Sequence, residues 1–139
     1  MKQSIKAVNI NRKRKVSTAS VKKIAGFVLR KFYKKRKEII LNIILASDSY
    51  LKRLNRIYKS KNRLTDVLCF PMDKGADIYI SSDRAAVNSK RFGLSFKHEI
   101  YLYTIHGVLH MLGFRDNTKS QKKRMEKVEH RLLEELRDI

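Results

Sequence analysis

Cysteine occurs once, at Cys69, so no intrachain disulfide can form and no cysteine pair has zinc-knuckle spacing. A lone thiol fits a reducing compartment. Long apolar runs are missing too: nothing approaches the roughly 18–20 apolar residues of a membrane helix. Met1 to Lys15 alternates short apolar residues with bases and has no signal-peptide core. The expectation is a cytosolic protein that keeps away from membranes. Acidic residues are scarce as well, 13 against 33 Lys and Arg, which gives a net charge of +20 and a pI near 10.3.

An excess of that size draws polyanions by Coulomb attraction and counterion release, and nucleic acid is the first partner to which it points. A solvated charged face and an acidic membrane surface are the alternatives. The excess is uneven: residues 1–40 hold 14 Lys and Arg against Glu38 alone, whereas residues 101–139 hold eight against six acids. The basic surface is therefore expected from the N-terminal quarter.

With 139 residues, 42% of them apolar and gathered in blocks, the chain is long enough to bury one core, and residues 1–139 are expected to form a single domain. Ile5 to Ile10 reads as a short strand. Ser17, Thr18 or Ser20 caps a helix whose Val21, Ile24, Ala25, Val28, Leu29 and Phe32 share one face. Ile39 to Ala46 suits a strand covered on both faces. Ser47 or Asp48 then opens a helix through Tyr58. Val67 to Phe70 is a strand halted by Pro71, and Ala76 to Ser81 another, with a turn at Asp73 to Gly75 between them. A short helix runs from Ser82 or Asp83 to about Arg91, and Gly93 interrupts it. Thr118 or Ser120 begins a last helix with Met125, Val128, Leu132, Leu133 and Leu136 on one face and Lys122, Lys123, Glu126, Glu129 and Glu135 elsewhere.

Between these, Ile100 to Phe114 contains no Asp, Glu, Lys or Arg, in a chain one third charged. Ser95 caps this helix and Gly113 ends it. Lacking a solvent face, it should lie in the middle of the domain. The fold expected is α/β (α+β): a small mixed sheet packed by helices around that buried helix.

The central helix carries His106 and His110, one turn apart, which sets their Cβ atoms about 5–6 Å from each other on one face. Alone, such a pair is more often structural than metal-binding. Asp116, six residues beyond His110 and just past Gly113, can return its carboxylate to the same ion. Two His and one carboxylate leave a fourth position for water, which a zinc ion would acidify to a pKa near about 7, so hydrolysis is the class implied. Gly107 stands where helix-borne zinc peptidases place a glutamate base, which disfavours peptide cleavage. His98 lies about 12 Å back along the helix axis, too far to share the ion. His130 is read as a surface residue.

Two blocks carry a family resemblance: Asp48 through Leu54-Asn55 to Thr65-Asp66-Val67-Leu68-Cys69-Phe70-Pro71, and His106-Gly107-Val108-Leu109-His110-Met111-Leu112-Gly113-Phe114. They resemble the L-N…T-D-V-L-S-F-P and H-G-x-L-H-L-x-G-Y motifs of the YbeY family of bacterial rRNA-maturation endoribonucleases, from about Ile43 to Leu136. The resemblance implies a single-strand-specific, metal-dependent endoribonuclease acting in rRNA maturation and ribosome assembly. It implies one divalent ion per chain, Zn²⁺ first with Mn²⁺ or another ion as competitor, and no covalent cofactor. The implied partners are single-stranded RNA, 16S-type small-subunit rRNA and the ribosome.

Three departures stand out. The family's third ligand is a His, where this chain has Asp116, and Arg115 replaces the preceding Asp. The family Arg thought to meet the RNA phosphate corresponds to Lys59, which keeps the charge and loses the bidentate grip, with Asn62 where an Asp is usual. Cys69 replaces a Ser and is read as packing. Lys59 can equally be an ordinary surface base. The rival readings are a catalytically impaired rRNA-binding assembly factor and a metallohydrolase of another substrate class.

Overall fold

A computed structural model of the chain describes residues 2–59 and 65–137. The elements run β1 (Gln3–Asn9), α1 (Thr18–Phe32), β2 (Ile39–Ala46), α2 (Asp48–Lys59), β3 (Val67–Met72), β4 (Gly75–Ser81), α3 (Ser82–Phe92), α4 (Phe96–Met111) and α5 (Lys119–Arg137). The strands form one sheet in the order β1-β2-β4-β3, with β1, β2 and β4 parallel and β3 antiparallel at the edge. The mixed α+β architecture expected from the sequence is the one observed.

Local chemistry sets the helix ends. Ser17, Ser81 and Ser95 each turn a side-chain oxygen onto a free backbone N–H of the first turn of α1, α3 and α4. At α5 the cap is reciprocal: Thr118 Oγ1 accepts from the N–H of Gln121, whose Oε1 accepts from the N–H of Thr118. Gly93 and Gly113, at φ 68° and 101°, end α3 and α4 in backbone conformations that side chains other than glycine's rarely adopt.

One face of the sheet, with Leu41, Ile43, Leu45, Ala76, Ile78 and Ile80, packs against α1 and α4. α4 is the hub, touching α1, α3, α5, β3 and β4. Ile105, Val108 and Leu109 are fully buried, a burial that stabilises by about 1.5–3 kcal/mol for each large apolar side chain. On the opposite face, among the described residues, Leu51 of α2 meets Ala46 at the end of β2 and Leu68 of β3, flanked by Tyr50, Phe70 and Tyr79.

Two expectations need correction. β2 is not covered on both faces along its length: Leu41, Ile43 and Leu45 are buried, but Ile40 is 38% exposed, at the end of the strand far from Ala46, where Leu51 of α2 packs. Nor does Pro71 stop β3, which continues to Met72, pairing Pro71 with Ala76 across a tight hairpin. An edge strand tolerates proline, since one side of its backbone makes no ladder bonds.

Gly107 sits where α4 crosses the sheet. A Cβ there would lie 2.7 Å from Cγ2 of Ile78 and 3.3 Å from Cγ1 of Val67, so the position after His106 has no room for a side chain. Gly107→Ala is expected to destabilise the protein by about 1–3 kcal/mol, the usual cost of overpacking, as measured by urea denaturation. An unchanged midpoint would mean that α4 does not seat this closely.

Candidate metal centre

His106 and His110 project from the last two turns of α4 with ring centroids 4.7 Å apart and planes at 70°. Gly113 turns the chain back, and Phe114 donates its N–H to the carbonyl of Leu109, which brings Asp116 alongside the rings. Asp116 Oδ2 lies 3.6 Å from Nε2 of His106 and 3.4 Å from Nε2 of His110. One donor atom from each residue lies within 4.8 Å of the others.

These separations are long for hydrogen bonds. They suit a cation between the donors, since tetrahedral zinc with ligands at about 2.0–2.2 Å puts neighbouring donor atoms about 3.4 Å apart. Imidazole nitrogen and carboxylate oxygen are ordinary zinc donors. The trio can therefore hold a divalent ion, and all three side chains are half-buried, leaving one side open.

Behind His106 stands a residue that the sequence reading placed off the apolar face of the last helix. Glu129 of α5 is only 6% exposed, and its Oε2 lies 2.5 Å from Nδ1 of His106. With Nδ1 engaged there, the ring presents Nε2 to Asp116. A carboxylate in this position fixes the orientation and tautomer of a metal-binding histidine and raises its basicity. The signal was present: Met125, Glu129 and Leu132 are spaced as one helical stripe, and all three are buried.

The electrostatics of the two rings diverge. Burial disfavours the imidazolium of His106, but the Glu129 hydrogen bond, with the charges of Glu129, Asp66 and Asp116, outweighs it and raises the pKa above the ordinary histidine value. At His110 burial dominates, and the neighbouring His106 adds to it, so the pKa is lowered despite Asp116. Asp66, just ahead of β3, acts on both His106 and Tyr103, a role that its place in the Thr65–Pro71 block did not by itself assign.

The remaining candidates lie apart. Lys59, in the last turn of α2, is exposed, donates to the carbonyl of Cys69 at 3.4 Å and stands 5.0 Å from the centre of the Phe70 ring. Its contacts are with β3 and not with the His–Asp trio. Cys69 packs against the main core, and burial raises its thiol pKa, opposed by Lys59, in keeping with a packing role. His98 pairs with Glu99 at 3.5 Å, and His130 is exposed. Asn62 lies outside the described residues.

Among the described residues, no helix is long and apolar enough to cross a membrane. A family model described as Endoribonuclease YbeY matches residues 6–137, a longer span than the sequence motifs marked out. A curated relative of that name from Carboxydothermus hydrogenoformans is 37% identical over 103 residues, 70% of this chain and 72% of the relative. Another, from Thermodesulfovibrio yellowstonii, is 29% identical over 151 residues, 92% of this chain and 95% of the relative. The solution structure of a Thermotoga maritima protein superposes with a TM-score of 0.63 at 26% identity, covering 98% of this chain and 92% of that one. On the match that runs through both the His106 helix and the helix of Glu129, this chain belongs to the endoribonuclease YbeY family.

Proposed function

We propose that the protein is a metal-dependent endoribonuclease that cuts single-stranded RNA and acts in the maturation of 16S-type small-subunit rRNA on the ribosome, in the cytosol. The observation that carries this reading is the convergence of two ring nitrogens and the Asp116 carboxylate on one point, within a family named for RNA cleavage. The net charge of +20 suits a polyanionic substrate.

His106, His110 and Asp116 hold the ion, and Glu129 sets the ring of His106. A divalent cation bound there supplies Lewis acidity for a phosphoryl oxygen and for the attacking water. Lys59 contributes a positive charge to the RNA phosphate from the end of α2. Gly107, locked against Ile78, leaves no base at the position that a zinc peptidase would use, which favours a phosphodiester over a peptide. One carboxylate in place of the family's third imidazole makes the site harder, so Mn²⁺ competes better with Zn²⁺ than at a site of three imidazoles.

Wild type is expected to bind one equivalent of Zn²⁺ and to cleave an unstructured RNA, with chelation abolishing the cleavage. His106→Ala and Asp116→Ala are each expected to lose metal affinity by more than about 10–100-fold, the loss typical of an outer partner alone, and to lose cleavage with it. Equal cleavage by all three proteins would sink the site assignment. RNA binding without any metal-dependent cleavage in wild type would leave an assembly factor in place of an enzyme.

Glu129→Ala is expected to weaken Zn²⁺ binding by about 10–100-fold in calorimetry, with Glu129→Gln in between. Unchanged affinity in both variants would show that Glu129 serves only packing. Lys59→Arg is expected to cleave at least as fast as wild type because guanidinium restores a bidentate grip, whereas Lys59→Ala is expected to slow it. Indistinguishable rates in the two variants would make Lys59 a surface base.

A further inference from the structure

Three cavities follow one another about the C-terminal half of α4, each sharing one wall residue with the next. The smallest of the three, about 240 Å³, borders the metal centre on the His106 side, with His106, Asp116 and Glu129 beside Lys122 and Glu126 in its wall. It shares Met125 with a second, of about 280 Å³, whose wall includes Arg115, Gln121 and Arg124. The second shares Leu112 with a groove of about 810 Å³ between the α1–β2 connection, the β3–β4 hairpin and the last turn of α4. That groove falls within the roughly 300–1,000 Å³ typical of ligand clefts.

The geometry points to one continuous track through these cavities that holds single-stranded RNA on one side of the scissile phosphate, with its far end at Lys34, Lys35, Lys37 and Lys74. The inference rests on the RNA-cleavage reading and says where the substrate runs. From the basic N-terminal quarter, Lys34, Lys35 and Lys37 line this groove.

Charge favours a polyanion along the whole path beyond the ion. The second cavity has two guanidinium groups and no acid in its wall. The large groove has four lysines, all exposed, against Glu38 and Asp73, and Glu38 is engaged by Lys74 at 3.5 Å. Apolar surfaces lie beside these charges. Tyr33 donates its hydroxyl to the carbonyl of Lys37 at 3.1 Å, which holds a flat ring in the groove near Pro71 and Met72. Lysines beside an aromatic face are what an unpaired strand needs, with cations for its phosphates and a surface on which a base can stack. An acidic peptide would use the charges but not the ring.

The test uses the metal-loaded full chain and a labelled unstructured RNA of about 12 nucleotides, within the range of single-strand site sizes, with binding read before cleavage accumulates. A triple variant, Lys34→Ala with Lys37→Ala and Lys74→Ala, is compared with Lys13→Ala, Lys22→Ala and Lys23→Ala. The second set removes the same charge from exposed positions, Lys22 being about 15 Å along α1 from its last residue, Phe32, at the rise of a helix. Melting and metal content are checked first in both.

The groove variant is expected to bind the long RNA about 10- to 100-fold more weakly at 0.1 M salt, with a log–log salt slope shallower by about 2, as for three lost phosphate contacts on a single strand. Its affinity for a dinucleotide, too short to reach the groove, should stay at the wild-type value. The control triple should change both quantities much less. Equal losses in the two triples would overturn the track, since net charge alone would then explain them. So would loss of affinity for a polyglutamate peptide with RNA binding intact. If wild type never cuts RNA yet the groove variant still loses the long oligomer selectively, the endoribonuclease reading fails and the RNA track stands. If cleavage depends on His106 but the two triples bind alike, the track alone fails.

Discussion

Everything in this molecule depends on burying one helix that has no charged residue between Ile100 and Phe114. α4 has to satisfy the sheet on one side and α1, α3 and α5 on others, so apolar residues occupy nearly its whole circumference. Gly107 is the consequence of that seating: Ile78 and Val67 fill the space a side chain would take. The same rigidity holds the two imidazoles, because a helix packed on several sides gives its side chains little freedom to turn away.

Polar groups in such a setting must be paired, since an unpaired buried carboxylate is costly. Glu129 meets that demand through His106, and His106 in turn is set with its outer nitrogen toward Asp116. The last helix thereby does more than cover the core. Through Glu129 it orients a donor on α4, through Lys122 it places positive charge beside the same centre, and through Arg124 it does so in the adjoining cavity. The reversal after Gly113 links the two helices and decides where Asp116 stands.

Much of this was legible from residue order. The helical spacing of Val21 to Phe32, the serine caps, Gly93 and Gly113 as helix ends, and the uncharged run of α4 all describe local events that a short stretch of chain settles by itself. Where the sequence reading went wrong, distant partners were responsible. Ile39 to Ala46 reads as a strand covered on both faces, but whether α2 extends over Ile40 depends on helix placement and not on strand composition. Pro71 reads as a strand end only if the strand lies inside the sheet, and β3 lies at the edge. Glu129 looks like a surface acid until α5 packs against α4, although its place in the Met125–Leu132 stripe marked it as inward-facing.

By itself, then, the sequence determined the element types and their order, the one-turn spacing of His106 and His110, the family motifs and the charge of +20. These are properties of neighbours along the chain or of simple counts. Only the tertiary structure decided that Asp116 faces both rings, that Glu129, 23 residues from His106, stands behind one of them, and that Lys34, Lys35, Lys37 and Lys74 line one groove near the end of α4. Those relations join residues far apart in sequence, and their geometry exists only once the sheet and the five described helices have packed together.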